Sequence, residues 1–395
     1  MKKIMKINLM VSAGLLMLLG IWLLFKSANT EIGHIEPVGH YCYPVSVHKT
    51  LLLKNGDVFI YGVYKDEFVA QLYHSNSRTF ECLPKPPVKI SEVGFNLAIL
   101  ASGDVLISGG EIDLWPNDKK KSVFAEPSAV ALAQVYHYKT KTFEHVSDMT
   151  VPRTGHGSVL LPDGKLLIMG GWGFHEYAPL KINKIKELIY KSAELYDEKT
   201  KKFTALSSKM SKGMITSGTL LSPNKVLILE TGALELFNPK HLSFVPLSRE
   251  PQQKIGSDFY RLDDYSAVTF PKSDYIGIPP QNYNVSNGKF TSIPIRMPND
   301  LMYGTTCRLT HNQFLFTGGI GHFGMSHYYS NATYLVNIKN RIVKQGPKVP
   351  FMLHTSEATA LNNRYVLITP EYNPRFPAQQ PYLLILNKEE FDNRF

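Results

Sequence analysis

Two short segments of the chain concentrate residues suited to holding a flat, polar ligand. One carries Trp172, Phe174, His175, Glu176 and Tyr177, the other His322, Phe323, His327, Tyr328 and Tyr329, and Trp115 stands in a third. Aromatic faces beside imidazole and carboxylate groups suit sugar stacking or capture of a peptide. Folded over their own domain, the same segments would instead bury their rings as local packing. No metal is expected here. No histidines have an HExxH-like spacing and no cysteines a CxxC spacing, and 13 histidines scattered through 395 residues make chance groupings common. There is no P-loop, dinucleotide fingerprint or G-x-S-x-G elbow, so no cofactor is expected either.

Such residues need elements to position them, and after residue 40 the dominant signal is self-similarity. One version opens Arg153-Thr-Gly-His156-Gly and runs through Ser158–Leu161, an Asp163-Gly164 turn and Leu166–Met169 to Gly170-Gly171. After an insertion it resumes with Ser192-Ala-Glu-Leu-Tyr196 and, past a Thr-Lys turn, Phe203. Short apolar runs joined by Asp-Gly read as a β-hairpin, and the two runs that follow complete four antiparallel strands. The pattern resembles the kelch repeat, in the form common in exported bacterial propellers. The fold it implies is an all-β, kelch-type β-propeller, each repeat one blade.

Seven starts can be read, with hairpin turns at Gly56, Gly103, Gly164, Asn224, Ser273, Asn312 and Asn363. Their spacings of 47, 61, 60, 49, 39 and 51 bracket the period of about 50 expected of such blades. Seven blades is the count, or six if the weak fifth copy, beginning at Ser266, is not a blade. The seventh copy lacks a fourth strand, while residues 31–38 precede the first without a partner. A ring closed by an N-terminal strand accounts for both. One propeller domain over residues 31–395 follows a segment of residues 1–30.

In propellers of this resemblance, ligands sit on the face built by the loops from second to third strand and from blade to blade. The aromatic segments above would gather there. Some relatives of the repeat are copper-radical oxidases of the galactose oxidase kind, which need two histidines, two tyrosines and a cysteine cross-linked to a tyrosine. Cys307 falls inside an inner strand, and no Cys–Tyr pair matches, so that chemistry is not expected. Others are sialic-acid mutarotases, in which charged groups of the central funnel move protons. The candidates here are Arg153, His156, Asp264, His354 and Glu357, each just before or within a first strand. Arg153 and His156 also belong to the repeat itself and have a structural reading.

The N-terminus sets the compartment. Three lysines within the first six residues precede an uncharged run of 17, residues 9–25, that ends at Lys26. At about 1.5 Å per residue this just reaches a bilayer's hydrocarbon thickness, long for a signal core and short for a span. It reads as an uncleaved signal-anchor helix, with the body outside by the positive-inside rule; a cleaved signal, leaving the protein secreted, is the alternative. The formal charge of +10, from 43 Lys and Arg against 33 Asp and Glu, is spread over turn tips and points to a solubility face, with no nucleic-acid partner. Three cysteines are too few for a disulfide scaffold. Cys42 and Cys82 flank the first repeat and either pair in an oxidising compartment or stay buried thiols.

The expectation is therefore a membrane-anchored extracytoplasmic propeller, in the periplasm or a similar space, binding a protein or glycan at the cell envelope. The alternative is a carbohydrate-active enzyme of the epimerase or mutarotase type that uses the funnel charges.

Overall fold

The computed structural model describes residues 32–46, 48–65, 67–88, 94–112, 128–173, 189–213, 215–230, 233–247, 259–270, 279–298, 304–323, 326–350, 356–371 and 380–391. Seven four-stranded antiparallel sheets form the blades of an all-β propeller. Blades one to six cover residues 48–82, 96–145, 157–205, 215–247, 259–292 and 305–345. The seventh combines Ser356–Ala360, Tyr365–Pro370 and Tyr382–Leu386 with Gly33–Pro37, which pairs from Gly33 opposite Leu386 to Pro37 opposite Tyr382. None of the described helices is long and apolar enough to cross a membrane, and the N-terminal segment of residues 1–30 lies outside the described residues.

Local chemistry fixes both turns of a blade. Between first and second strands, Gly56, Gly103 and Gly164 take φ of +86°, +103° and +87°, open to glycine but not to a side chain without strain. Between third and fourth strands, one residue of each described turn in blades one to six is left-handed: Arg78, Lys141, Lys201, Leu242, Gly288 and Arg341. Three of these also reach back to the preceding blade. Arg78 Nη1 lies 2.6 Å from Glu36, Lys141 Nζ 2.6 Å from Glu81 and Lys201 Nζ 2.6 Å from Glu144. Exposed pairs of this kind contribute about 0–1 kcal/mol each. Their regularity is more telling, because Glu36 on Gly33–Pro37 holds the place that Glu81 and Glu144 hold on fourth strands.

Packing repeats as well. The third-strand and fourth-strand aromatics meet at ring-centroid distances of 5.2, 5.1, 4.7, 4.8 and 4.6 Å in Tyr73–Phe80, Tyr136–Phe143, Tyr196–Phe203, Phe237–Phe244 and Tyr283–Phe290. Tilted rings at this separation add to simple area burial. Apolar clusters then bind each blade to the next, and the cluster of Val45, Val58 and Ile60 with Leu367, Leu383 and Ile385 joins the seventh to the first. The ring is closed by core packing.

Connectors between blades leave backbone N–H groups inside the ring, and those groups need acceptors. The third strand supplies them. Gln71 Oε1 accepts from Cys42 N at 2.9 Å and Tyr43 N at 3.2 Å, while its Nε2 donates to Tyr43 O at 2.8 Å. At the same position Glu194 accepts from Thr150 N at 2.7 Å and Glu235 from Ser211 N at 2.7 Å. All three side chains are fully buried.

Two expectations change. In blade five the stretch from Ser266 is the second strand: the first is Phe259–Arg261, and the turn lies at residues 262–265, not at Ser273. The reason is local. Asp263 accepts from Tyr265 N at 2.7 Å and from the Ser266 hydroxyl at 2.6 Å, closing a tight turn straight after a three-residue strand. The cysteine alternatives also resolve, since Cys42 and Cys82 form a disulfide and Cys307 is a buried free thiol.

The disulfide closes a loop with a sequence separation of 40 and ties the chain ahead of blade one to that blade's last strand. Replacing both cysteines by serine should lower unfolding stability by about 4 kcal/mol on the loop-entropy estimate, measured by denaturant titration against the oxidised parent. Leu242, 39% exposed and held at φ +50°, should behave oppositely. Leu242→Gly removes backbone strain of about 1 kcal/mol and should leave the thermal midpoint unchanged or raised in calorimetry.

Candidate functional site

Of the five residues read as funnel candidates, Arg153, His156, Asp264 and Glu357 lie among the described residues. Arg153 is fully buried at the entrance to blade three. Its Nε lies 2.8 Å from Glu194 Oε1, Nη1 donates to Gly170 O at 2.9 Å and Ser192 O at 3.1 Å, and Nη2 donates to the Ser192 hydroxyl at 3.0 Å. The guanidinium also sits 5.7 Å from the Tyr190 ring centroid. Four of its five N–H groups are thus spent inside the blade, and the fully buried guanidinium is out of reach of a substrate. Arg153 braces the connector, the turn after the second strand and the third strand of one blade.

His156 is 5% exposed, with Nε2 2.9 Å from the Ser108 hydroxyl. Burial, helped by the positive charges of Arg153 and Lys49, pushes its imidazole down to about 3. A ring that stays neutral at physiological pH cannot serve as a cationic acid there. Its other role is steric: a Cβ on Gly109 would lie 2.6 Å from His156 Cε1 and 2.2 Å from Arg153 O. That close approach is why a Gly-Gly pair ends the second strand of blade two.

Asp264 is corrected outright. The redrawn blade five puts it in the turn after the first strand, where its side chain is 56% exposed and pairs with Arg261 at 2.5 Å. Its partner Arg261 ends the first strand, Phe259–Arg261, so the carboxylate is spent on the exposed turn that follows that strand. Glu357 itself lies on one of the innermost strands, Ser356–Ala360, and His354 lies outside the described residues.

Lys49, Arg261 and Arg308 are charged residues of these innermost strands that escaped the sequence reading. Lys49, on His48–Leu52, lies 5.4 Å from the Phe95 ring, and burial holds its ammonium below the usual lysine range, partly offset by the charge of Glu357. The signal was a lone lysine just before the apolar run Leu51-Leu52-Leu53. Around Lys49 and Glu357 the innermost strands are stitched by polar side chains. Thr50 and Thr359 hydroxyls meet at 2.6 Å, Ser158 donates to Asn96 at 2.7 Å and Thr305 donates to Ser356 O at 2.5 Å. These bonds join neighbouring blades, so the polar character near the axis is largely consumed in holding them together.

On the loop face, Trp172 is also a packing residue. It exchanges backbone bonds with Thr154, donating at 3.0 Å and accepting at 2.9 Å, and its ring covers Gly155, where a Cβ would come within 2.4 Å of Cη2. Trp115, Phe174, His175, Glu176 and Tyr177 lie outside the described residues. In blade six the insertion forms a separate ribbon of Ile320–Phe323 and Ser326–Tyr329, whose register sets His322 opposite His327 and Phe323 opposite Ser326. Tyr328 and Tyr329 on this ribbon are 47% and 44% exposed. Successive strand residues face opposite sides, so exposure of both means that both faces of the ribbon meet solvent there.

Among the described residues no group of three or more His, Cys, Asp and Glu is placed to hold a metal ion. Cys307 lies among Leu315, Leu335, Val366 and Leu384, and burial pushes its thiol up to about 12. Outside the loop face, a cavity of about 340 Å³ opens beside the turns of blade six and the C-terminal 3₁₀ turn, lined by Asn312, Gln313, Asn337, Lys339 and Glu390.

Arg153→Met should cost about 3–5 kcal/mol of stability, since it leaves Glu194 buried without its cation, and should leave ligand binding by the folded fraction unchanged. Urea titration reads the first and a binding assay on folded protein the second.

No family model matches the sequence, and no curated protein does. Among solved structures, a fungal alcohol oxidase of the AA5 family, determined in complex with copper, shares the fold with a TM-score of 0.64. The match covers 90% of this chain and 76% of that one, at 12% identity. At that identity the likeness is one of architecture.

Proposed function

We propose that this chain is a kelch-type propeller anchored by residues 9–25 outside the cytoplasmic membrane, where it acts as a binding module for a protein or glycan of the cell envelope. The observation that carries the reading is the pair of exposed tyrosines, Tyr328 and Tyr329, on a ribbon standing apart from the blade sheets. Rings left in water on a rigid ring of blades suit stacking against a sugar or packing against a partner at small ordering cost.

The Cys42–Cys82 disulfide supports the compartment, because such bonds persist in oxidising spaces and are rare in the cytosol. The pairing of Gly33–Pro37 in the seventh blade supports ring closure by the N-terminal strand, directly after the anchor segment. The enzyme alternative needs proton-moving groups that meet at the funnel. Arg153 and His156 are instead spent inside the blades and Asp264 on a turn.

The test uses the full chain in detergent micelles on a glycan array and in an envelope pull-down, against a Tyr328→Ala, Tyr329→Ala double variant. At least a tenfold loss of binding is expected. Binding by the double variant at full strength would remove the ribbon from the site.

A further inference from the structure

Blades three and four follow one plan until a single buried spot. In blade three, Leu166 pairs with Tyr196 and Gly157 with Met169; in blade four, Val226 pairs with Phe237 and Ser217 with Leu229. That register sets Glu230 where blade three has Gly170, Glu235 where it has Glu194, and Gly213 where it has Arg153. A backbone bond supports the last match. Gly110 N donates to Arg153 O at 2.9 Å, and one blade later Gly171 N donates to Gly213 O at 3.1 Å.

Blade three neutralises its buried glutamate with the guanidinium of Arg153. Blade four has no such group at this place. Gly213 has φ +90°, and a Cβ on it would come within 2.3 Å of Tyr190 O, so the connector cannot send in a side chain. Glu230 enters from the second strand instead. It is 1% exposed, and Glu235, within its hydrogen-bonding reach, is 0% exposed.

Each acid has one committed oxygen. Glu235 Oε1 accepts from Ser211 N at 2.7 Å, and Glu230 Oε2 accepts from Lys212 N at 2.8 Å and from Gly213 N. Glu230 Oε1 and Glu235 Oε2 are buried and have no partner. The charged groups on the surrounding elements do not fill the gap: the Arg153 guanidinium is bound to Glu194, and Lys212 is exposed. Tyr190 is the titratable group on the blade-three side. Two bare carboxylates side by side in a dry site would repel each other without compensation.

We infer that Glu230 and Glu235 share one proton between their two free oxygens, a carboxylic acid–carboxylate bond that stands in blade four where blade three has an arginine–glutamate pair. A proton on either oxygen satisfies both at once. It also leaves the outer oxygens free to hold the Ser211–Gly213 connector.

The site is therefore pH-sensitive. Burial first, and then the neighbouring charge of Glu235, raises Glu230 to about 7 against the pull of the connector N–H groups. An acid that keeps its proton longer when folded contributes stability in full below the ordinary carboxylate range and loses it as pH rises through about 7. The loosened segment would be the junction of blades three and four at the foot of the loop bearing Trp172. There Gly171 bonds to Gly213 through N–H and accepts from Tyr190 N at 2.9 Å.

The test is infrared spectroscopy of the full chain in micelles, read at the protonated-carboxyl stretch, with thermal unfolding followed across the same pH range. Wild type should show a carboxyl band at mildly acidic pH that fades through about pH 7, with the thermal midpoint falling as pH rises from the ordinary carboxylate range and levelling off above about 7. Glu230→Gln and Glu235→Gln should each abolish that component entirely and flatten the fall, because an amide donor replaces the shared proton. A wild-type spectrum without the component overturns the proposal whether or not the variants fold. A component that survives either substitution overturns it too, since the two acids would then titrate separately.

Discussion

A buried acceptor on the third strand of a blade holds the backbone of the connector that enters that blade. Connectors run between sheets, where water does not satisfy their N–H groups, and blade spacing depends on how that need is met. Gln71 meets it with a neutral amide that both accepts and donates. A glutamate accepts more strongly but brings a charge into a dry place. Glu194 is then matched by Arg153, and Glu235 by a second acid. The choice of acceptor thus dictates what else must be buried around each connector.

This constraint explains why residues that look like chemistry are not free to perform it. Arg153, His156 and Trp172 are reactive or ligand-binding types, yet each is committed to a glycine turn or a connector. Polar groups near the axis are likewise spent between blades. The insertions lie outside the sheets, where side chains are not drawn into holding connectors. The blade-six ribbon keeps Tyr328 and Tyr329 exposed there.

Much of the scaffold was legible because its turns are written in residue types that only a few backbone shapes tolerate. Asp163-Gly164 and Ser102-Gly103-Asp104 announce their hairpins, and the recurring Tyr and Phe of third and fourth strands announce the blades. Blade five was misread because its first strand has only three residues and its turn carries no glycine, so the next apolar run looked like a beginning. The site was less legible for a different reason. Sequence places Arg153 and His156 just ahead of an inner strand, but whether a side chain turns towards the axis or back into its blade depends on a partner 41 or 48 residues away. Lys49 was missed because a single lysine in a short strand has no spacing to mark it.

Gly33–Pro37, among the first described residues of the chain, pairs with Tyr382–Leu386 near its end. During synthesis the earliest of these strands must therefore wait for the latest, with most of the polypeptide still to emerge. Until then Gly33–Pro37 has no strand to pair with, and the seventh sheet has at most Ser356–Ala360 and Tyr365–Pro370 in place. Loop closure of this length is entropically slow to find but costs little more than a shorter one. The propeller is thus finished by a long-range event, after six of its seven sheets have all the sequence they need.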